Sequence, residues 1–156
     1  MQKASQIALG VILLALVGIT GAPAQPRQQG AGGPGVVQNA ERGDARAQTV
    51  LGFMFATGRG VPQNFDLAAY WYTRAAEQGN PDAQYQLGVC YDLGRGVPVD
   101  WILAYKWLNL SASRTKAGEE REFRARMRDA VATKLGPPSL AVAQGLAVAW
   151  RPKPER

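Results

Sequence analysis

Between residues 44 and 113 the apolar positions fall into short helical stripes, separated by turns that carry glycine, asparagine or proline. Ala47, Leu51, Met54 and Phe55 stand at i, i+4, i+7 and i+8, which is one face of a helix over about 45–57. Asp44 precedes that run and can cap it by accepting from free amide N–H groups. Gly58-Arg59-Gly60 ends it, because glycine adopts the left-handed conformation that closes helix carbonyls, and Pro62 blocks continuation. A second stripe, Leu67, Ala68, Trp71 and Ala75, predicts a helix over about 65–78, capped by Asn64 and stopped by Gly79. Asn80 caps a third helix over 82–93, with Pro81 in the first turn, where its missing N–H costs nothing. Asp100 opens a fourth helix over 101–113, and 114–118 form a polar connection. A fifth helix, 119–135, has Phe123, Met127, Ala130, Val131 and Leu135 as its apolar residues and gathers acids at its start, which suits the helix dipole. After Gly136-Pro137-Pro138-Ser139, a last helix over 139–150 presents Leu140, Ala143, Leu146, Ala147 and Trp150.

The pattern is written twice. AQTVLGFMFATGRGVP at 47–62 returns as AQYQLGVCYDLGRGVP at 83–98, an offset of 36 residues without a gap. Ala47, Gln48, Leu51, Gly52, Gly58, Arg59, Gly60, Val61 and Pro62 recur as Ala83, Gln84, Leu87, Gly88, Gly94, Arg95, Gly96, Val97 and Pro98. Leu67, Ala68 and Trp71 recur as Leu103, Ala104 and Trp107, and AERGDARAQ at 40–48 is echoed by AEQGNPDAQ at 76–84. A period of this length marks stacked supersecondary units. Gly52 and Gly88, lacking a side chain, let a neighbouring helix approach closely.

These residues resemble the Sel-one-like repeat family, helical-hairpin repeats related to tetratricopeptide repeats. The pattern A-x-x-x-L-G-x-x-[FY]-x-x-G-x-G-V, followed by A-x-x-W, carries the resemblance over roughly 40–113. A looser one covers RDAVATKLGPPSLAVAQGLAVAW at 128–150, which is similar to the segment following such repeats in many bacterial envelope proteins. Leu135, Gly136 and Pro137 stand where those proteins have Met, Thr and Pro. The resemblance implies an all-α fold: an α-α superhelix, a right-handed solenoid of helical hairpins with about two full repeats and a C-terminal capping hairpin. Two repeats cannot bury their end faces alone, so the final hairpin is expected to close the stack. Some relatives carry paired cysteines around each repeat. Here Ala47 and Ala83 occupy such positions, so the disulfide-stapled branch is a poor guide.

The start of the chain reads differently. Met1–Lys3 is a short positive stretch, Ile7–Thr20 is apolar or small throughout, and Ala22-Pro23-Ala24 offers a cleavage site, the layout of a secretory signal peptide. The run is short for a membrane span, which needs about 20 apolar residues, and an uncleaved anchor is the alternative. QPRQQGAGGPG at 25–35 has nothing to bury and reads as a flexible tether. The expected organisation is therefore leader or anchor 1–24, linker 25–35, a degenerate half-repeat 36–46, repeats 47–82 and 83–118, and capping helices with a tail 119–156.

Composition narrows the chemistry. The chain has no His, which removes the commonest general base and the commonest zinc ligand. Cys90 stands alone, so no intrachain disulfide can form, and among apolar helical neighbours it reads as a small buried hydrophobe. No phosphate-binding loop and no carboxylate pair stands out, so no catalytic, cofactor or metal-binding residue is assigned and the chain reads as non-catalytic. Asn109-Leu110-Ser111 matches a glycosylation sequon by chance inside a helix. The net charge is +6, and the densest basic region is Arg114, Lys116, Arg121, Arg124, Arg126 and Arg128. Acids lie in the same stretch and no aromatic platform alternates with the bases, so a solvated helix face with pairs such as Glu120–Arg124 and Glu122–Arg126 is the reading, not a nucleic-acid footprint.

In tetratricopeptide-like stacks the first helix of each repeat lines a concave groove. By that resemblance the candidate partner-binding residues are Thr49, Phe53 and Ala56 in one repeat and Tyr85, Val89 and Asp92 in the next. Phe53 and Tyr85 would grip an extended peptide or a partner helix; alternatively, both pack against a neighbouring helix. The expectation is an exported bacterial scaffold or adaptor, periplasmic or secreted, whose partner is another envelope protein or peptide, with membrane contact only through a retained N-terminal segment. Two other readings stay open: a binding protein or enzyme acting on cell-wall components, and a membrane-anchored structural or regulatory protein.

Overall fold

The computed structural model describes residues 34–155, so the expected leader and all of the linker but its last two residues lie outside the described part. Among the described residues seven helices follow one another: α1 (Pro34–Glu41), α2 (Ala45–Thr57), α3 (Phe65–Glu77), α4 (Pro81–Leu93), α5 (Trp101–Arg114), α6 (Glu119–Ala132) and α7 (Pro137–Ala149). Each packs mainly on its neighbour in sequence from α1 to α6, and α7 returns to pack on α5. The fold is an all-helical solenoid of hairpins. Helix α1 begins at Pro34, inside the stretch read as tether, because Val36 adds apolar surface to the Ala40, Leu51 and Met54 cluster.

The helix boundaries follow from their caps. Asp44 Oδ1 accepts from the Ala47 amide at 2.7 Å, Asn64 Oδ1 from Leu67 at 3.0 Å, Asn80 Oδ1 from Asp82 and Ala83 at 3.0 Å, and Asp100 Oδ1 from Leu103 at 2.9 Å. Gly58 and Gly94 close α2 and α4 in the left-handed region, at φ 71° and 68°. Gly96 has a second duty. At φ 72° it lies so near the start of α3 that a Cβ would stand 2.0 Å from the Phe65 carbonyl oxygen, so the second loop rests directly on the first repeat.

Within each hairpin the two helices touch at a glycine. A Cβ on Gly52 would meet the Tyr72 ring at 2.7 Å and the Ala68 oxygen at 3.2 Å. One repeat later, a Cβ on Gly88 would meet Leu108 Cγ at 2.7 Å and the Ala104 oxygen at 3.2 Å. This contact turns α3 from the orientation read in the sequence. The buried residues are Ala68, Ala69, Tyr72, Ala75 and Ala76, whereas Leu67 is exposed and Trp71 is half-buried. Tyr72 takes the buried place because its flat ring fits over Gly52.

The far end is a three-helix arrangement. Ala104, Tyr105 and Leu108 of α5, Val131 of α6 and Ala143 of α7 share one apolar cluster. Helices α6 and α7 each pack chiefly on α5 rather than on each other, so the expected capping hairpin is two helices seated on a common support. Helix α6 ends at Ala132, earlier than the expected 135, and α7 starts at Pro137 rather than 139. Of the apolar residues expected to seat α6, Val131 is buried, while Phe123 is exposed. Among those of α7, Ala143 and Ala147 are buried and Leu146 is exposed. Among the described residues, no helix is long and apolar enough to cross a membrane.

Candidate partner-binding site

The six candidate residues lie on two helices that the fold treats differently. On α2, Thr49 donates its hydroxyl to the Ala45 carbonyl at 2.7 Å, Ala56 is half-buried against the core, and Phe53 is 40% exposed. The Arg59 guanidinium stands 5.8 Å from the centre of the Phe53 ring. Phe53 thus offers an apolar face with a cation beside it.

On α4 the corresponding face is roofed by α6. Tyr85 stacks on Phe123 with ring centres 5.9 Å apart, and the Arg124 guanidinium lies 5.6 Å from the Tyr85 ring. Burial raises the Tyr85 hydroxyl above its usual range, with Arg124 pulling the other way. Asp92 pairs with Lys134 at 2.5 Å, and Val89 is half-buried. Tyr85 therefore packs against the neighbouring helix, one of the two readings of the sequence, and the structure does not gather all six residues into one open row.

Arg124 corrects the solvated-face reading of the basic region. It is only 5% exposed. It donates to Ser111 Oγ at 2.9 Å and to the carboxylates of Asp82 and Glu120, while Ser111 Oγ donates to the Pro81 carbonyl at 2.7 Å. The expected Glu120–Arg124 pair is present, but its arginine is buried and also reaches Asp82 and Ser111, a clasp tying α6 to α4 and α5 whose two carboxylates stay exposed. Beside the clasp lies a pocket of about 410 Å³, lined by Asp82, Glu119 and Glu120 and by Arg114, Lys116 and Arg124. Its walls carry both signs of charge. Among the described residues, no group of three or more His, Cys, Asp or Glu side chains could hold a metal ion.

The paired helices and their 36-residue register match a known repeat, and the Sel1 repeat model aligns at residues 45–80 and again at 81–115. The chain belongs to the Sel1 repeat family. The Sel1 repeat protein of Oxalobacter formigenes is 41% identical, with a TM-score of 0.54, over 60% of this chain and 68% of that one. The crystal structure of c5321, a protective antigen present in uropathogenic Escherichia coli strains and displaying an SLR fold, is 32% identical with a TM-score of 0.67. That match covers 74% of this chain and 24% of c5321, so this chain spans about a quarter of that protein's length. No curated protein sequence matches the chain.

Between consecutive Sel1 units the structure adds a contact that sequence reading left unassigned. Gln48 and Gln84, 36 residues apart, are both wholly buried. Gln48 Nε2 donates to the Ala40 carbonyl at 3.1 Å, and Gln84 Nε2 donates to the Ala76 carbonyl at 3.2 Å. Each repeat thereby closes a carbonyl at the end of the helix before it. The signal was present: a glutamine recurring beside an apolar stripe. Its environment differs between the copies. Gln48 Oε1 accepts from Gln78 at 2.8 Å, whereas Gln84 Oε1 has no hydrogen-bond partner. Arg114, one period after Gln78, lies instead over the Trp150 ring at 4.5 Å. Cys90 is buried as expected, and burial pushes its thiol up to about 11, well away from a reactive thiolate.

Proposed function

We propose that this Sel1 repeat chain is an exported, non-catalytic interaction scaffold of the bacterial envelope that engages another protein or peptide through the Phe53 face of α2. Sel1 repeats mediate protein–protein interaction, and that membership supports the scaffold reading. The observation that carries the choice of surface is the contrast between the two repeats. Tyr85 and Asp92 on α4 are engaged by α6 and Lys134, whereas Phe53 presents an exposed ring with Arg59 alongside. An aromatic ring with an adjacent guanidinium is the kind of anchor that interfaces favour. Export is supported by the sequence of residues 1–24 alone.

A photo-crosslinking amino acid placed at position 53 of the full chain, exposed to native envelope extract, tests the surface. The expected result is one defined protein crosslinked from position 53 and no retention of that protein by a Phe53→Asp chain. Retention that survives Phe53→Asp would move the site elsewhere. Turnover of wall fragments by the purified chain would replace the scaffold reading with the enzymatic one. Mass spectrometry of the mature chain tests export, since cleavage after Ala24 removes the leader.

A further inference from the structure

The residues after α7 fold back over the inter-helix turns. The Trp150 indole meets Trp107 edge-on, with ring centres 6.1 Å apart, and the Arg114 guanidinium covers it at 4.5 Å. Gly79 forms the floor, and a Cβ there would come within 3.6 Å of both Trp150 and Pro152. The Lys153 amide then donates to the Glu77 carbonyl at 2.8 Å. Finally the Glu155 carboxylate accepts from Arg74 Nε at 2.9 Å and from Gln48 Nε2 at 2.9 Å. First Arg74 and then Gln48 hold that carboxyl below its usual range. Pro152 and Pro154 keep the segment extended between its anchors.

These anchors all come from the repeat body: an aromatic slot, one backbone acceptor and a carboxylate clamp. That set is how extended peptides are recognised, by main-chain bonding with pockets for chosen side chains. The two clamp residues are also held by the repeat body. Gln48 is wholly buried, and its amide can satisfy only one of its two N–H groups on Ala40. The other needs an acceptor, because a buried donor without one is costly. Arg74 is held in place by Trp71, 4.9 Å from its guanidinium to the ring centre. Arg151, Lys153 and Pro154 are exposed, so the segment rests on its three anchors.

We propose that this surface, running from Trp107 and Gly79 to Arg74 and Gln48, is a second binding site, distinct from the Phe53 face. It takes an extended peptide of a partner protein that bears an aromatic residue five positions ahead of a carboxylate, and residues 150–155 are its built-in competitor. The probe is a fluorescein-labelled peptide with the sequence of residues 149–155, titrated by anisotropy against the full chain and against a full-length Trp150→Ala, Glu155→Gln variant. At least tenfold tighter binding to the variant is expected. Adding Arg74→Met, or replacing the peptide's Glu by Gln, should weaken that binding about tenfold. Circular dichroism checks folding, and Glu155→Gln alone, which leaves the Trp150 packing intact, should still tighten binding about threefold. Equal affinity for parent and variant, no binding to the variant, or binding indifferent to Arg74→Met would each overturn the proposal. A parent chain that dimerises in sedimentation while the variant stays monomeric would assign the site to the tail of a second copy and overturn the partner reading.

Discussion

Gly88→Ala and Gly145→Ala are the same chemical change at two helix interiors, and the structure assigns them opposite signs. In both, alanine improves intrinsic helix stability by about 0.5–1 kcal/mol. At Gly145, on the outer side of α7, a Cβ meets nothing within 4 Å, so that gain should appear in full. At Gly88 the new methyl would stand 2.7 Å from Leu108 Cγ and 3.2 Å from the Ala104 carbonyl oxygen. Leu108 is wholly buried and has nowhere to swing, and the carbonyl is backbone, so α4 and α5 must separate. Overpacking of this kind costs about 1–3 kcal/mol. After the propensity gain, a net loss of about 0–2.5 kcal/mol remains, about 1.3 kcal/mol at mid-range. At roughly 4 °C per kcal/mol for a chain of this size, Tm should rise about 2–4 °C for Gly145→Ala and fall about 5 °C for Gly88→Ala. Thermal and urea unfolding followed by circular dichroism measures both. Because propensity cancels between the two variants, their difference isolates the interhelical contact. A Gly88→Ala protein as stable as Gly145→Ala would mean that the two helices are not held together at this point.

Three further outcomes are expected. Tyr72→Phe keeps the ring over Gly52 and removes a buried hydroxyl that has no hydrogen-bond partner, so it should stabilise the chain by about 1 kcal/mol in urea unfolding; a loss of stability would show that the hydroxyl is satisfied. Burial raises the native Cys90 thiol from 9.0 to about 11, so between those values the folded state holds a proton that the unfolded state has released. Stability should therefore fall as pH rises through that window, by up to about 1.4 kcal/mol per pH unit, and a Cys90→Ala chain should lack this contribution to the slope. Arg124→Ala should cost about 1–2 kcal/mol, less than breaking a fully buried pair, because Asp82 and Glu120 stay solvated. That loss should shrink in 1 M salt, which screens the exposed carboxylates, and an unchanged unfolding midpoint would contradict the clasp.

Much of the scaffold was legible because it rests on local chemistry written twice. Asp44, Asn64, Asn80 and Asp100 cap the helices at which they stand, and Gly58 and Gly94 end theirs, since a cap or a left-handed glycine acts within one turn. Orientation was harder to read. On α3 a stripe containing Leu67 and Trp71 and one containing Ala69 and Tyr72 fit the same period. What separates them is the space above Gly52, which belongs to another helix. Arg124 read as solvated because one acid, Glu120, was visible at i−4, while Asp82 and Ser111, distant in sequence, were not recognisable as its partners. The candidate groove was legible only in part. Its α2 half depends on residues close in sequence, but the covering of Tyr85 by Phe123 depends on where the connection after α5 sends α6.

The returning tail has a consequence for the length of the array. Its first anchor belongs to the second repeat, at Trp107 and Arg114, and its last reaches Arg74 of the first repeat and Gln48 beneath it. The solenoid contacts themselves would accept another 36-residue unit after residue 80, since a new glutamine would find a helix-end carbonyl just as Gln84 does. The tail would accept it only if the new unit carried its own counterparts of Gln48, Arg74 and Gly79, because a unit without them would pull the two anchor points apart while the segment joining them kept its length. Residues 150–155 thus read which unit stands before the second repeat, and replacing or deleting that unit would register there first.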